Sequence, residues 1–197
     1  MEKNRLEAFS DGVLAIIITI MVLGLQVPIG SDITVLKPLL PGFLTYALSF
    51  IYLGIYWNNH HHLLKAAHKV NGVMMWANLH LLFWLSLFPF VTGWMGENHF
   101  TTMPTALYGA VMLLAAVAYY ILQSVIVAQQ GLDSKLARSI GRDLKGKLSP
   151  VLYAVAIATA FFRPWISCSL YVLVALMWLI PDRRIERVVD ESGPRPR

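Results

Sequence analysis

Six apolar segments dominate this chain, at about residues 6–28, 38–64, 71–94, 104–129, 148–162 and 165–181. A helix needs roughly 20 apolar residues to cross about 30 Å of hydrocarbon, and the first four segments reach that length. The last two are short and are separated only by Arg163, Pro164 and Trp165, with the proline as breaker. They suit a tight helical hairpin or a partly re-entrant pair, and six spans is the favoured count. Composition agrees: 57% of the residues are hydrophobic and only 14% charged, with a mean hydropathy of +0.59. A soluble domain carries roughly a quarter charged residues. The reading is an all-α integral membrane protein with the lipid bilayer as its solvent.

The basic residues then fix a topology. Lys3, Arg5, Lys65, Lys69, Lys135, Arg138, Arg142, Lys145, Lys147, Arg183, Arg184, Arg187, Arg195 and Arg197 all fall on one side of a six-span chain. Lys37 and Arg163 alone fall on the other. Cytoplasmic loops collect Lys and Arg, so both termini are expected in the cytoplasm of a multi-pass protein of the cell membrane. The net charge of +5 marks that topology and no nucleic-acid partner. The N-terminal "MEKNRLEAF" mixes acids and bases, and no small-residue cleavage site follows the first apolar run, so the first helix is read as retained. Cys168 is the single cysteine and cannot close an internal disulfide.

Residues 1–190 read as one six-helix domain and "ESGPRPR", 191–197, as a disordered tail. Leu132, Leu136, Ile140 and Leu144 recur at spacing four with bases opposite, which fits either an amphipathic helix on the inner leaflet or a solvated linker helix. Phosphate-binding glycine loops, paired cysteines for zinc and nucleophile elbows do not occur in the sequence, so no enzyme and no cofactor is expected.

The first segment carries the informative asymmetry. At 100° per residue, Phe9, Gly12, Val13, Ile16, Ile20, Leu23 and Val27 fall within about 60° of one line, with Thr19 at its edge. Asp11 falls about 140° away. A membrane carboxylate costs a few kcal/mol unless partnered. The second segment ends, and the third begins, on the side where Asp11 lies, so His60, His61, His62 and Asn78 share the depth of Ser10 and Asp11. Mutual hydrogen bonds there would pin the first helix against the second and third. A proton site or ion ligand is the other reading of Asp11. Three successive histidines point 100° apart and cannot all reach one ion, so no metal site is assigned. The aliphatic stripe, taken alone, fits packing, lipid contact or a pore.

Arg5, Phe9, Ser10 and Asp11 form "RLEAFSD", an R-x-x-x-F-S-D signature at the start of a first membrane helix. "GVLAIIITIMVLGLQVP" continues it, and "WNNHH" at Trp57 to His61 suits the second helix. The chain thereby resembles, over its whole length, the single-repeat prokaryotic form of the transmembrane protein 175 family of potassium channels. The resemblance implies a homotetramer whose four first helices line a central pore. It implies a constriction of Ile16, Thr19, Ile20 and Leu23, where a permeant potassium ion passes Thr19. It also implies a polar network of Arg5, Phe9, Ser10, Asp11 and Trp57 with His60 or His61 and Asn78. A rival function is a proton channel or proton-coupled transporter using Asp11 and the histidines as a relay. A membrane enzyme or metal-binding protein is a third.

Overall fold

A computed structural model describes residues 2–67, 69–131 and 144–179, and every regular element among them is a helix. In chain order these are α1 (Lys3–Leu23), the short 3-10 helix η1 (Ile33–Leu39), α2 (Leu40–Ala66), α3 (Gly72–Ser86), α4 (Phe88–Glu97), α5 (Thr102–Gln130), α6 (Leu144–Ala160) and α7 (Pro164–Leu179). Leu132, Leu136 and Ile140 of the amphipathic pattern, and the tail 191–197, lie outside the described residues.

Four stretches are long and apolar enough to cross a membrane: Lys3–Leu23, Ile33–Ala66, Gly72–Glu97 and Thr102–Gln130. As described, α6 and α7 have 17 and 16 residues, about 25 Å each at 1.5 Å per residue. They pack against each other as a hairpin that turns at Phe161 to Arg163. Pro164 opens α7, where its missing N–H costs nothing.

Two boundaries differ from the sequence reading. α1 stops at Leu23, not at 28. The Gly24 N–H closes the last turn on the Ile20 carbonyl at 3.1 Å, and Pro28 disfavours helical geometry at the residue before it. Val27, counted on the stripe, is therefore beyond the helix. The third segment is also not one straight helix. Pro89 has no N–H to give, and its ring clashes with a carbonyl four residues back in a continuous helix. The chain breaks at Leu87 and restarts as α4 with the proline in its first turn.

In lipid, close packing and interhelical hydrogen bonds hold helices together more than hydrophobicity does. Both devices are visible. A Cβ on Gly96 of α4 would lie 2.6 Å from the Gly42 Cα of α2, so these backbones touch only because residue 96 carries no side chain. Gly109 of α5 likewise makes room for the Tyr171 ring end of α7. Tyr52, Tyr108 and Tyr171 are fully buried at the centre. Tyr52 donates to the Tyr171 carbonyl at 2.6 Å, and Tyr171 donates to the Thr105 carbonyl at 3.0 Å. Ser49 sits 2.7 Å from the Thr92 hydroxyl and 3.0 Å from that of Tyr108, joining α2 to α4 and α5. On the α1–α2 connection, Asp32 caps η1 by accepting from the Thr34 N–H at 2.8 Å, and that bond holds its carboxyl below the ordinary carboxylate range.

The stripe of the first helix and its polar anchor

α1 buries one face and leaves the other bare. Leu6, Ser10, Leu14, Ile17 and Met21 are buried against α2, α3 and α4. The opposite face is uncovered by its own subunit: Ile16 is 59% exposed, Ile20 50% and Leu23 78%. Phe9, Gly12 and Thr19 belong to the same exposed face, and Val13 is half-buried at its margin. The Thr19 hydroxyl donates to the Ala15 carbonyl at 2.8 Å. Its proton is thereby committed to the backbone, and its lone pairs remain for whatever faces the helix.

Two polar contact lines grip the buried side. The first is a ladder between antiparallel α1 and α2. Lys3 Nζ donates to the Lys65 carbonyl at 2.7 Å, Glu7 Oε1 lies 2.8 Å from His61 Nδ1, and Trp57 Nε1 donates to Asp11 Oδ1 at 3.1 Å. Each rung moves four residues up α1 and four down α2, the spacing that stacks residues on one helix face. The Trp57 ring also stacks on His61, with centroids 6.2 Å apart.

The second line is a chain of hydrogen bonds through the core. His60 Nε2 and Asn78 Oδ1 are 2.7 Å apart. Asn78 Nδ2 donates to Ser10 Oγ at 2.9 Å, and Ser10 donates to the Leu6 carbonyl at 2.9 Å. His60, Asn78 and Ser10 are essentially inaccessible to solvent. Since Asn78 Oδ1 can only accept, His60 Nε2 carries the proton. Its Nδ1 has no partner among the described residues.

The sequence reading placed Asp11 opposite His60 or His61. The structure gives it neither. The acid bonds the Trp57 indole, His61 takes Glu7, and His60 turns to Asn78. Asp11 lies about 100° round the helix from Ser10, so it faces the outer edge of α2 while Ser10 faces the core. Arg5, grouped with this network, is exposed, and among the described residues its side chain has no hydrogen bond or ion pair. Phe9 is half exposed on the stripe side. Glu7 was missed. Its signal was its position four residues before Asp11, matched by Trp57 and His61 at the same spacing. Among the described residues no group of three or more His, Cys, Asp or Glu side chains could hold a metal ion.

Comparison with known proteins bears on this arrangement. The family model described as endosomal/lysosomal potassium channel TMEM175 matches residues 5–89, which contain the stripe, the buried chain and every ladder residue but Lys3. A potassium channel of Chryseobacterium sp. (strain P1-3) is 57% identical over 192 residues, covering 98% of this chain and 100% of that protein. The chain belongs to the TMEM175 family. A crystal structure of a lysosomal potassium-selective channel TMEM175 homolog from Chamaesiphon minutus superposes with a TM-score of 0.77 at 25% identity, covering 91% of this chain and 97% of that one. The human endosomal/lysosomal proton channel TMEM175 is 36% identical over 86 residues, 38% of this chain but only 17% of the human protein. This TMEM175 chain thus has the single-repeat length of the bacterial relatives, and the part shared with the human protein is a short one.

Proposed function

We propose that four copies of this chain assemble around their α1 helices as a potassium-permeable cation channel of the cell membrane, with both termini in the cytoplasm. One observation carries the reading. A helix pinned by two polar contact lines leaves a face of Ile16, Thr19, Ile20 and Leu23 that its own subunit does not cover. One such face cannot enclose anything, but closed cyclic symmetry places four around an axis. Narrow aliphatic rings gate by dewetting, and four Thr19 hydroxyl oxygens offer a partly dehydrated cation weak coordination. The expected preference for potassium over sodium is therefore modest. Relatives named as potassium channels, nearly as long as this chain, support the choice of ion.

The proton reading has the human relative's name behind it. The side chains favour it less. The Asp11 carboxylate is met by an indole, which donates but cannot pass a proton on. The buried chain from His60 ends on the Leu6 carbonyl and does not include Asp11. The reconstituted protein, tested in liposomes under a potassium gradient, is expected to pass potassium faster than sodium. Potassium flux no greater than that of empty liposomes at every voltage and pH would rule the channel out.

A further inference from the structure

The outer surface of the subunit carries two polar side chains that have no business facing lipid. Asn58 is exposed on α2, and among the described residues its side chain makes no hydrogen bond. His80 is exposed on α3. Its Nε2 accepts from Trp84 Nε1 at 2.9 Å, so a neutral ring holds its proton on Nδ1, which has no acceptor among the described residues. Asn58 lies eight residues before the end of α2 at Ala66, and His80 eight residues after the start of α3 at Gly72. At 1.5 Å per residue both lie about 12 Å along their helices from those ends, so they stand at matching levels. Polar and ionisable groups on membrane-spanning helices face a protein or an aqueous surface rather than hydrocarbon.

The grip on α1 says which surface. Lys3, Glu7 and Asp11 meet α2, whereas Ser10 meets α3 and Met21 meets α4 through the Thr92 hydroxyl. Successive residues point 100° apart, so α2 and the α3–α4 span occupy neighbouring sectors of α1, and the stripe fills the rest. In a ring built about α1, one subunit's α2 therefore faces the α3 flank of the next, a heterologous contact that closes on itself. The two unpaired groups are complementary, one offering a carbonyl oxygen and the other an N–H, and they stand at matching levels on their helices.

We propose that Asn58 Oδ1 accepts a hydrogen bond from His80 Nδ1 of the next copy, seating each α2 on its neighbour's α3 ridge of Trp76, His80 and Phe83. The proposal rests on the cyclic assembly proposed above, and the test separates the two. In a Cys168→Ser background, membranes carrying Asn58→Cys with His80→Cys are treated with a short bismaleimide and run on a denaturing gel. The expected result is a ladder up to four subunits from the double variant and none from either single variant. No ladder, with four subunits still found by light scattering, overturns the pairing and leaves the tetramer standing. A ladder from a single variant alone also overturns it, since that contact would be symmetric. A monomeric mass overturns both readings. A second measurement needs no cysteines: heat dissociation of Asn58→Ala, His80→Ala and the double variant. Each single change is expected to lower the surviving oligomer about threefold, typical of one interhelical hydrogen bond in a membrane protein, with the double change no worse. Multiplying losses would overturn the pairing.

Discussion

Asn78→Leu removes the middle of the buried chain while nearly conserving volume. Asn78 is inaccessible and serves both neighbours, at 2.7 Å to His60 and 2.9 Å to Ser10. Ser10 keeps its bond to the Leu6 carbonyl, so its loss is small. His60 fares worse. Its Nδ1 is already unpartnered, and the substitution strands Nε2 as well, in a site where it is 1% exposed. One buried donor left without a partner costs about 1–3 kcal/mol, and the lost Ser10 contact adds about 0.6 kcal/mol, the average for such bonds in a membrane protein. A destabilisation of about 2–4 kcal/mol is expected, since leucine fills the space and no cavity term enters. Thermal unfolding in detergent reads it. The decisive comparison is Asn78→Leu combined with His60→Phe. With no polar atom left to strand, the double variant should regain most of the loss. Strict additivity of the two single changes, or an Asn78→Leu protein as stable as the parent, would show that the chain does not hold α1, α2 and α3 together.

Ile16→Asn should wet the constriction and raise leak current in a bilayer recording; unchanged leak would move the constriction elsewhere. Thr19→Ala should lower the potassium-to-sodium permeability ratio, read from reversal potentials, while leaving conductance intact. Asp11→Asn keeps an oxygen for the Trp57 indole, so assembly and potassium flux should survive it; Asp11→Leu should weaken the α1–α2 ladder and lower thermal stability. Loss of flux with intact assembly on Asp11→Asn would instead favour a proton relay. Gly96→Leu should abolish folding, because even a Cβ there stands 2.6 Å from the Gly42 Cα; normal yield of that variant would contradict the packed α2–α4 contact.

The broad outline was open to reading because it follows from periodicity and segment length. Rotation by 100° per residue separated the Ile16–Leu23 stripe from Asp11, and alternating spans put Ser10, His60 and Asn78 at one depth. Partner choice was not open in that way. It depends on which flank of α2 each side chain occupies, and the register of two helices is set by packing that no single segment encodes. Glu7 was passed over because an acid near a helix start looks like an ordinary interfacial charge. Its spacing with Asp11, mirrored by Trp57 and His61, becomes meaningful only once α1 and α2 are known to run antiparallel in contact. The break at Leu87 had a visible cause in Pro89, but an unbroken run of hydrophobicity hid it. The close approach of Gly42 and Gly96 is a purely tertiary fact, since either glycine alone is unremarkable in a membrane helix.

The central claim is that the uncovered face of α1 lines the conduit. Single cysteines placed in turn at residues 12 to 23 of the Cys168→Ser protein, with channel current recorded during exposure to a small water-soluble thiol reagent, test it most directly. Current should change at 16, 19, 20 and 23 and stay constant at Leu14, Ile17 and Met21. Modification that follows the buried set, or that leaves current untouched at every position, would contradict the account.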